Sequence, residues 1–257
     1  MTRRNGPTDS QPELFQNLKP TIEVTGPDGT REVDIYGPEG HALLSNLWTR
    51  SGWQQKDSYE VTWLGIPIIQ MPEDILMMQE LIWKTRPDVI IECGVAHGGA
   101  AILYASILEL LGKGRVIGID VEIRKYNRLA IQSHPMSKRL TLIEGNSVDP
   151  DTVQQVRRLI RPSDRVMVAL DSNHSAAHVF KELSSYADMV TSGNYLVVFD
   201  GVMQVLTDAP GGSPSWETDN PWRAVQQFLA MRDDFEVDPY YNRLRVTYCP
   251  GGFLRRK

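Results

Sequence analysis

Cysteine is nearly absent from this 257-residue chain: only Cys93 and Cys249 occur, both in segments that read as buried strands. A disulfide framework is therefore not expected, and a cytoplasmic enzyme is. No apolar run approaches the roughly 18 residues that a membrane-spanning helix needs. The N-terminal MTRRNGPTDSQPELF has two arginines but no apolar stretch behind them, so it does not read as a secretory signal. No excess of positive charge is present either; a net charge of −5 argues against broad nucleic-acid binding. Residues 1–40 show no repeat.

What is present is a regular rhythm from residue 72 onward. PEDILMMQELIWKTR opens on a proline and two acids and carries Ile75, Met78, Leu81 and Ile82 at helical spacing. DVIIEC, RVIGID, LTLIEG, RVMVALD and NYLVVFD read as five strands. Between them AAILYASILELLG, KYNRLAIQ, DPDTVQQVRRLI and AAHVFKELSSYADMV read as helices, the first closed by Gly112. Strands that are apolar throughout, alternating with helices, predict a doubly wound, mostly parallel α/β sheet covered on both faces. WRAVQQFLAMR is a further helix. FEVDPYYNRLRVTYCPGGFLRRK then reads as two strands joined by a Pro-Tyr-Tyr-Asn turn, LRVTYC showing the alternation of the second. A terminal antiparallel pair added to five parallel strands makes a seven-stranded sheet of the class I methyltransferase layout. Residues 1–60 read as an N-terminal arm and cap, a candidate oligomerisation element, and 61–257 as the catalytic domain. TIEV and REVDIYG are short extended pieces of the arm, and Trp48, Trp53 and Trp63 suit a cap packed over a core or a substrate.

In such a sheet, ligands sit beyond the carboxyl ends of the strands. The first strand stops at Glu92-Cys93, and Gly94-Val95-Ala96-His97-Gly98-Gly99 opens the next helix. Glycines there let a ligand approach the backbone, and the helix N-terminus favours a carboxylate or phosphate. The spacing G-x-x-x-G-G is neither the G-x-G-x-x-G of dinucleotide sites nor the G-K-[ST] of a Walker loop. Asp120 closes the second strand 21 positions beyond Gly99, where an acid accepts hydrogen bonds from ribose hydroxyls. Asn146 and Ser147 end the third strand and could flank an adenine. A ligand with an adenosine and an amino-acid tail, S-adenosylmethionine, fits without a diphosphate fingerprint. Glu92 would then face its ammonium, organise the loop, or close a salt bridge inside it.

WLGIPIIQMPEDILMMQELIWKTRPDVIIECGVAHGGA, with VIGIDVEIRKYNRLAIQSHP, VALDSNHSAAHV and YLVVFDGV, resembles the cephalosporin hydroxylase family, which also holds rhamnosyl-type sugar O-methyltransferases. The resemblance spans residues 60–257. It implies a class I methyltransferase fold, often a homo-oligomer, dependent on S-adenosylmethionine and frequently on Mg²⁺, in specialised metabolism. The hydroxylase part of the family name is not supported by the residues. A non-haem iron oxygenase commonly uses an H-x-[DE] element, and none of HALL, HGGA, HPMS, HSAA or HVFK has an acid two positions on.

Asp171 and Asp200 end the fourth and fifth strands, which places two hard oxygen ligands on one edge and suits Mg²⁺. Related metal-dependent sugar methyltransferases pair two acids at the end of the fifth strand. Here the pair is Phe199-Asp200, and Asn173 stands where some carry an acid. His174, three residues after Asp171, is the candidate general base, since an imidazole's ordinary pKa of about 6.5 suits it to take a hydroxyl proton. His97 lies in the cofactor loop or lines the acceptor pocket, and His178 reads as structural. The expected function is O-methylation of a hydroxyl on a sugar or other natural-product scaffold, with a small-molecule acceptor and neither nucleic acid nor membrane as partner. The alternatives are a non-catalytic cofactor-binding partner in cephem-type tailoring and a nicotinamide oxidoreductase.

Overall fold

The computed structural model describes residues 21–257, which fall into two compact units, 21–47 and 48–257. The expectations for residues 1–20 lie outside the described residues. In the first unit, strands β1 (Thr21–Gly26) and β2 (Gly29–Asp34) pair antiparallel from Thr21↔Asp34 to Gly26↔Gly29. These are the two extended pieces expected there. Helix α1 (Pro38–Gln55) follows and carries the chain into the second unit. Its apolar residues Leu44, Leu47 and Trp48 are exposed, so no buried stripe announced it in the sequence.

The second unit opens with a two-residue strand pair, β3 (Thr62–Trp63) and β4 (Ile66–Pro67), then helix α2 (Pro72–Thr85). β5 (Val89–Cys93), α3 (Gly99–Leu110), β6 (Arg115–Asp120), α4 (Lys125–Ser133), β7 (Leu140–Glu144) and α5 (Pro150–Arg158) come next. β8 (Val166–Leu170), α6 (Ala176–Tyr186), β9 (Tyr195–Val198), α7 (Pro221–Met231), β10 (Phe235–Val237) and β11 (Phe253–Arg256) complete the chain. The strand order is β10-β11-β9-β8-β5-β6-β7, parallel from β9 to β7, with β11 antiparallel to both of its neighbours. The seven-stranded, doubly wound sheet expected from the alternation is therefore present. No described helix is long and apolar enough to cross a membrane.

β5 shows why central strands are apolar on both sides. Val89, Ile91 and Cys93 join one core cluster with Val156 of α5, Val179 and Leu183 of α6 and Phe228 of α7. Ile90 joins the opposite cluster with Leu81 of α2 and Leu103 and Leu108 of α3. Both faces are covered, so alternation disappears from the strand. Glu92 is the single charged side chain of β5.

One strand was placed wrongly. LRVTYC is a loop, and the last strand is Phe253–Arg256. The alternation has another cause. Tyr248 is buried beside Met71, Val202 and Leu206, with Val246 packed against them, whereas Cys249 is buried in the α2–α3 cluster. Asn242 ties the loop shut, donating to the Cys249 carbonyl at 2.9 Å and accepting from Gly251 N at 3.0 Å. Cys93 is in a strand as expected; Cys249 is buried but is not in one.

β5 lies between β6 and β8, so strand order reverses there and a crevice opens past its carboxyl end. The two chain segments at that point nearly touch. A Cβ on Gly94 (φ +100°) would lie 1.9 Å from the Asp171 carbonyl oxygen, and Asp171 N donates to Cys93 O at 2.7 Å. Gly112 also has positive φ (+72°) but open space around it. Gly94→Ala meets strain and a backbone clash and should lose roughly 2–4 kcal/mol of stability. Gly112→Ala meets strain alone and should lose about 1–2 kcal/mol. Urea unfolding of both variants decides it: equal losses would mean that the close approach is not rigid.

Candidate active site

Asp120, at the end of β6, shapes the glycine loop. Its Oδ2 accepts from Val95 N and Ala96 N, both at 2.9 Å, and its Oδ1 accepts from Glu122 N at 3.1 Å. Asn127 of α4 donates to Ala96 O at 2.8 Å and holds the loop from the other side. Ala96 itself has φ +46°, a left-handed conformation that a non-glycine residue keeps only where its surroundings hold it. Gly98, at φ +93°, caps the start of α3, packed so close to Ile131 that a Cβ would lie 2.4 Å from it. Asp120 thus organises the loop, and it also lines a cavity.

Two cavities meet at this loop. The larger, of about 590 Å³, is lined by His97, Gly98, Asp171, His174 and Asp200, with Trp53, Tyr59 and Tyr248 among its walls. The smaller, of about 320 Å³, is lined by Asp120, Asn146, Ser147, Asn173 and His178. Gly94, Ala96, Asp171 and Ser172 line both. Every site residue expected from the sequence except Glu92 lines one of them. Glu92 is 1 % exposed, and its Oε2 has no hydrogen-bond partner. It makes no salt bridge with a described residue, which removes the ion-pair alternative. Burial, then the nearby Asp171 and Asp120 carboxylates, push its pKa well above the usual carboxylate range.

Asp171 and Asp200 emerge side by side, and His174 closes a triangle with them. Its Nε2 lies 3.0 Å from Asp200 Oδ2 and 3.9 Å from Asp171 Oδ1, and one donor atom from each of the three falls within 4.8 Å of the others. Adjacent and opposite positions of an octahedral ion with bonds of about 2.1 Å lie about 3.0 and 4.2 Å apart, so this set fits a small divalent cation. One nitrogen beside two carboxylates is acceptable to manganese, iron or zinc and less typical of magnesium. Burial, then Asp200, push the Asp171 carboxyl well above its ordinary pKa. Asn173 is no substitute ligand: its Oδ1 accepts from Ser175 N at 2.9 Å and Ser175 Oγ at 2.7 Å, at the start of α6.

Several wall residues were not singled out in the sequence. Gln70 is 2 % exposed, lines the larger cavity, and leaves both amide atoms unpartnered; its signal was one polar residue inside IPIIQMP. Tyr248 hid inside the supposed strand. Ser147 points its hydroxyl away from solvent, to His178 Nε2 at 3.1 Å and to Glu182 Oε1 at 2.5 Å. Glu182 shares the buried side of α6 with Val179, Leu183 and Tyr186, and an acid on an apolar stripe was its legible signal.

Known proteins support the architecture. The family model for rhamnosyl O-methyltransferase/CmcI matches residues 55–257. A rhamnosyl O-methyltransferase of Mycobacterium tuberculosis (strain H37Rv) is 28% identical over 238 residues, 88% of this chain and 87% of that protein. One from Mycobacterium leprae is 27% identical over 200 residues, 76% and 83% of the two chains. A CmcI structure with Mg and SAM shares the fold, with TM-score 0.56 and 20% identity over 77% of each chain.

Behind Tyr248, the α2 residue Asp74 is 1 % exposed and accepts from Tyr248 N at 2.7 Å and from Thr247 Oγ1. Burial outweighs those bonds and raises its pKa to about 7. The folded protein holds this proton more tightly than the unfolded chain, so the associated stability is present below the unfolded value and lost as pH rises through about 7. Asp74→Asn removes the titration, so its melting temperature relative to the parent should climb between about pH 5 and pH 8. A constant difference across that range would show that Asp74 is not titrating there.

Proposed function

The chain belongs to the rhamnosyl O-methyltransferase/CmcI family, and we propose that it transfers a methyl group from S-adenosylmethionine to a hydroxyl of a sugar. The observation that carries this reading is the pair of cavities joined at Gly94, Ala96 and Asp171, one for a donor and one for an acceptor. Two ligands placed on either side of a shared wall become effectively one molecule, which removes much of the entropic barrier to transfer. The related mycobacterial proteins are rhamnosyl O-methyltransferases, which favours a deoxysugar hydroxyl. The aromatic walls Trp53, Tyr59 and Tyr248 suit the apolar face of such a ring.

The smaller cavity takes the adenosine in this reading. Asp120, already bound through Oδ2, accepts from a ribose hydroxyl on its remaining lone pairs. Glu92 supplies a buried carboxylate with an unpartnered oxygen, the complement of the donor's ammonium. The bound donor supplies an electrophilic methyl group. Asp171 and Asp200 would hold a divalent cation, which when bound would lower the pKa of the acceptor hydroxyl. His174 takes the hydroxyl proton, and Asp200, 3.0 Å from its Nε2, stabilises the imidazolium that results. We assign the cation to Mg²⁺ on the two carboxylates, with the imidazole kept as base. The nicotinamide alternative has little to support it. A diphosphate would meet Asp120 and Asp171 around the loop, and among the described residues Lys56 is the one lysine or arginine lining either cavity.

A thermal-shift panel tests the donor. S-adenosylhomocysteine at about 100 times its dissociation constant should stabilise the fold by about 2.7 kcal/mol. NAD and NADP should do nothing, and selective stabilisation by either would overturn the assignment.

Transfer of labelled methyl to a rhamnoside tests the chemistry. His174→Gln should keep donor affinity while turnover falls by about 10²–10⁴. EDTA should suppress turnover and Mg²⁺ restore it, but not in Asp200→Asn. Full activity of the chelated enzyme would remove the cation from the reaction.

A further inference from the structure

Behind the smaller cavity, a buried carboxylate ties two of its loops together. Glu182 of α6 is 0 % exposed, and its Oε1 accepts from Ser147 Oγ at 2.5 Å and from Ser172 Oγ at 2.6 Å. Ser147 follows β7 and Ser172 follows β8, two strands separated in the sheet by β5 and β6. Tyr186 OH adds a bond to the Ser147 carbonyl at 2.8 Å. His178, one turn before Glu182, completes the set: its Nε2 is 3.1 Å from Ser147 Oγ and 3.4 Å from Glu182 Oε1. Both partners face the same ring nitrogen. A hydrolytic serine triad would need the carboxylate on the other nitrogen, so this cluster is not one.

The bond directions fix the imidazole. Ser147 has one hydroxyl hydrogen and spends it on Glu182, so toward His178 its oxygen can only accept. Nε2 must therefore carry a hydrogen. In the neutral ring Nδ1 is then a bare acceptor, and no described residue donates to it. His178 lines the smaller cavity together with Asp120, Asn146, Ser147 and Asn173.

We propose that His178 reads the base of the bound nucleoside, its Nδ1 accepting a hydrogen bond from the exocyclic amino group of adenine, with Glu182 as the positioning residue that holds the ring in this tautomer. The inference rests on the donor reading above. A hypoxanthine base presents a carbonyl where adenine has the amino group, and two acceptors would then face each other. The ring cannot relieve this by moving its hydrogen to Nδ1, because Nε2 would then confront Ser147 Oγ and Glu182 Oε1 without a proton. Selectivity for the amino group therefore comes from the buried carboxylate.

Calorimetric dissociation constants of S-adenosylhomocysteine and its hypoxanthine counterpart, S-inosylhomocysteine, test this without turnover. The wild-type protein should prefer the adenine ligand by at least about tenfold, since a site built around a hydrogen bond rejects the analogue that lacks it. His178→Phe keeps a flat ring without the acceptor and should bind the adenine ligand about five- to tenfold more weakly while the preference shrinks to within about twofold. Glu182→Gln, whose amide can donate to Ser147, frees the tautomer and should also narrow the preference. A loss merely of fold would lower both affinities together, and His178→Asn carries the same comparison if the phenylalanine variant does not fold. An undiminished preference in the His178 variants would overturn the inference while leaving the donor reading intact. Binding of neither ligand by the wild-type protein would overturn the donor reading, and this inference with it.

Discussion

The constraint on which the site depends is the contact between the backbone of Gly94 and the carbonyl of Asp171. It joins the ends of β5 and β8 on one side of the point where strand order reverses. Only a residue without Cβ, at φ +100°, permits it. Because the two segments touch, Gly94 and Asp171 belong to both cavities, so that ligands occupying the two would be adjacent. The remaining loop contacts elaborate this one: Asp120 and Asn127 fix the residues just after Gly94, and the triangle with His174 and Asp200 grows from the residue that Gly94 abuts.

The sheet was legible because its signals are local. Val89 to Cys93 must be apolar on both faces to be central, and acids at strand ends stand out where the apolar run stops. His174 lay three residues from an acid at such an end, and its convergence with Asp200 followed from strand adjacency. The terminal loop misled because alternation records burial and not backbone conformation. Tyr248 and Cys249 are buried in two different clusters of a loop closed by Asn242, and side chains sent alternately to two sides imitate a strand. α1 was missed for the opposite reason, since its apolar side chains are exposed and leave no periodic contrast.

The role of Asp120 shows a further limit. A strand-end acid at that spacing was read as a ribose ligand, yet one of its oxygens is occupied by two loop amides. Both uses are compatible because a carboxylate has about four acceptor sites. The sequence could place the acid but could not divide its lone pairs between protein and ligand. Glu182 is similar. Its helical position was visible, but its partners come from segments 10 and 35 residues away.

The charges that crowd the site run against stability. Glu92 is buried and Asp171 half-buried, the surroundings of both favour the protonated carboxyl, and Asp120 lies close to Glu92. No described lysine or arginine reaches them through an ion pair; the one cationisable contact is His174, to Asp171 and Asp200. A fold optimised for stability would neutralise or pair such groups, because an isolated buried charge is costly. In the proposed reading, the matching positive charge comes from outside the chain. A sulfonium with an ammonium beside it, and a divalent cation across the shared wall, would place positive charge on both sides of Asp171. Binding of such cations would favour the ionised carboxylates and release their protons. The same acids would disfavour an anionic dinucleotide. In the proposed reading, these acids would favour a cationic donor.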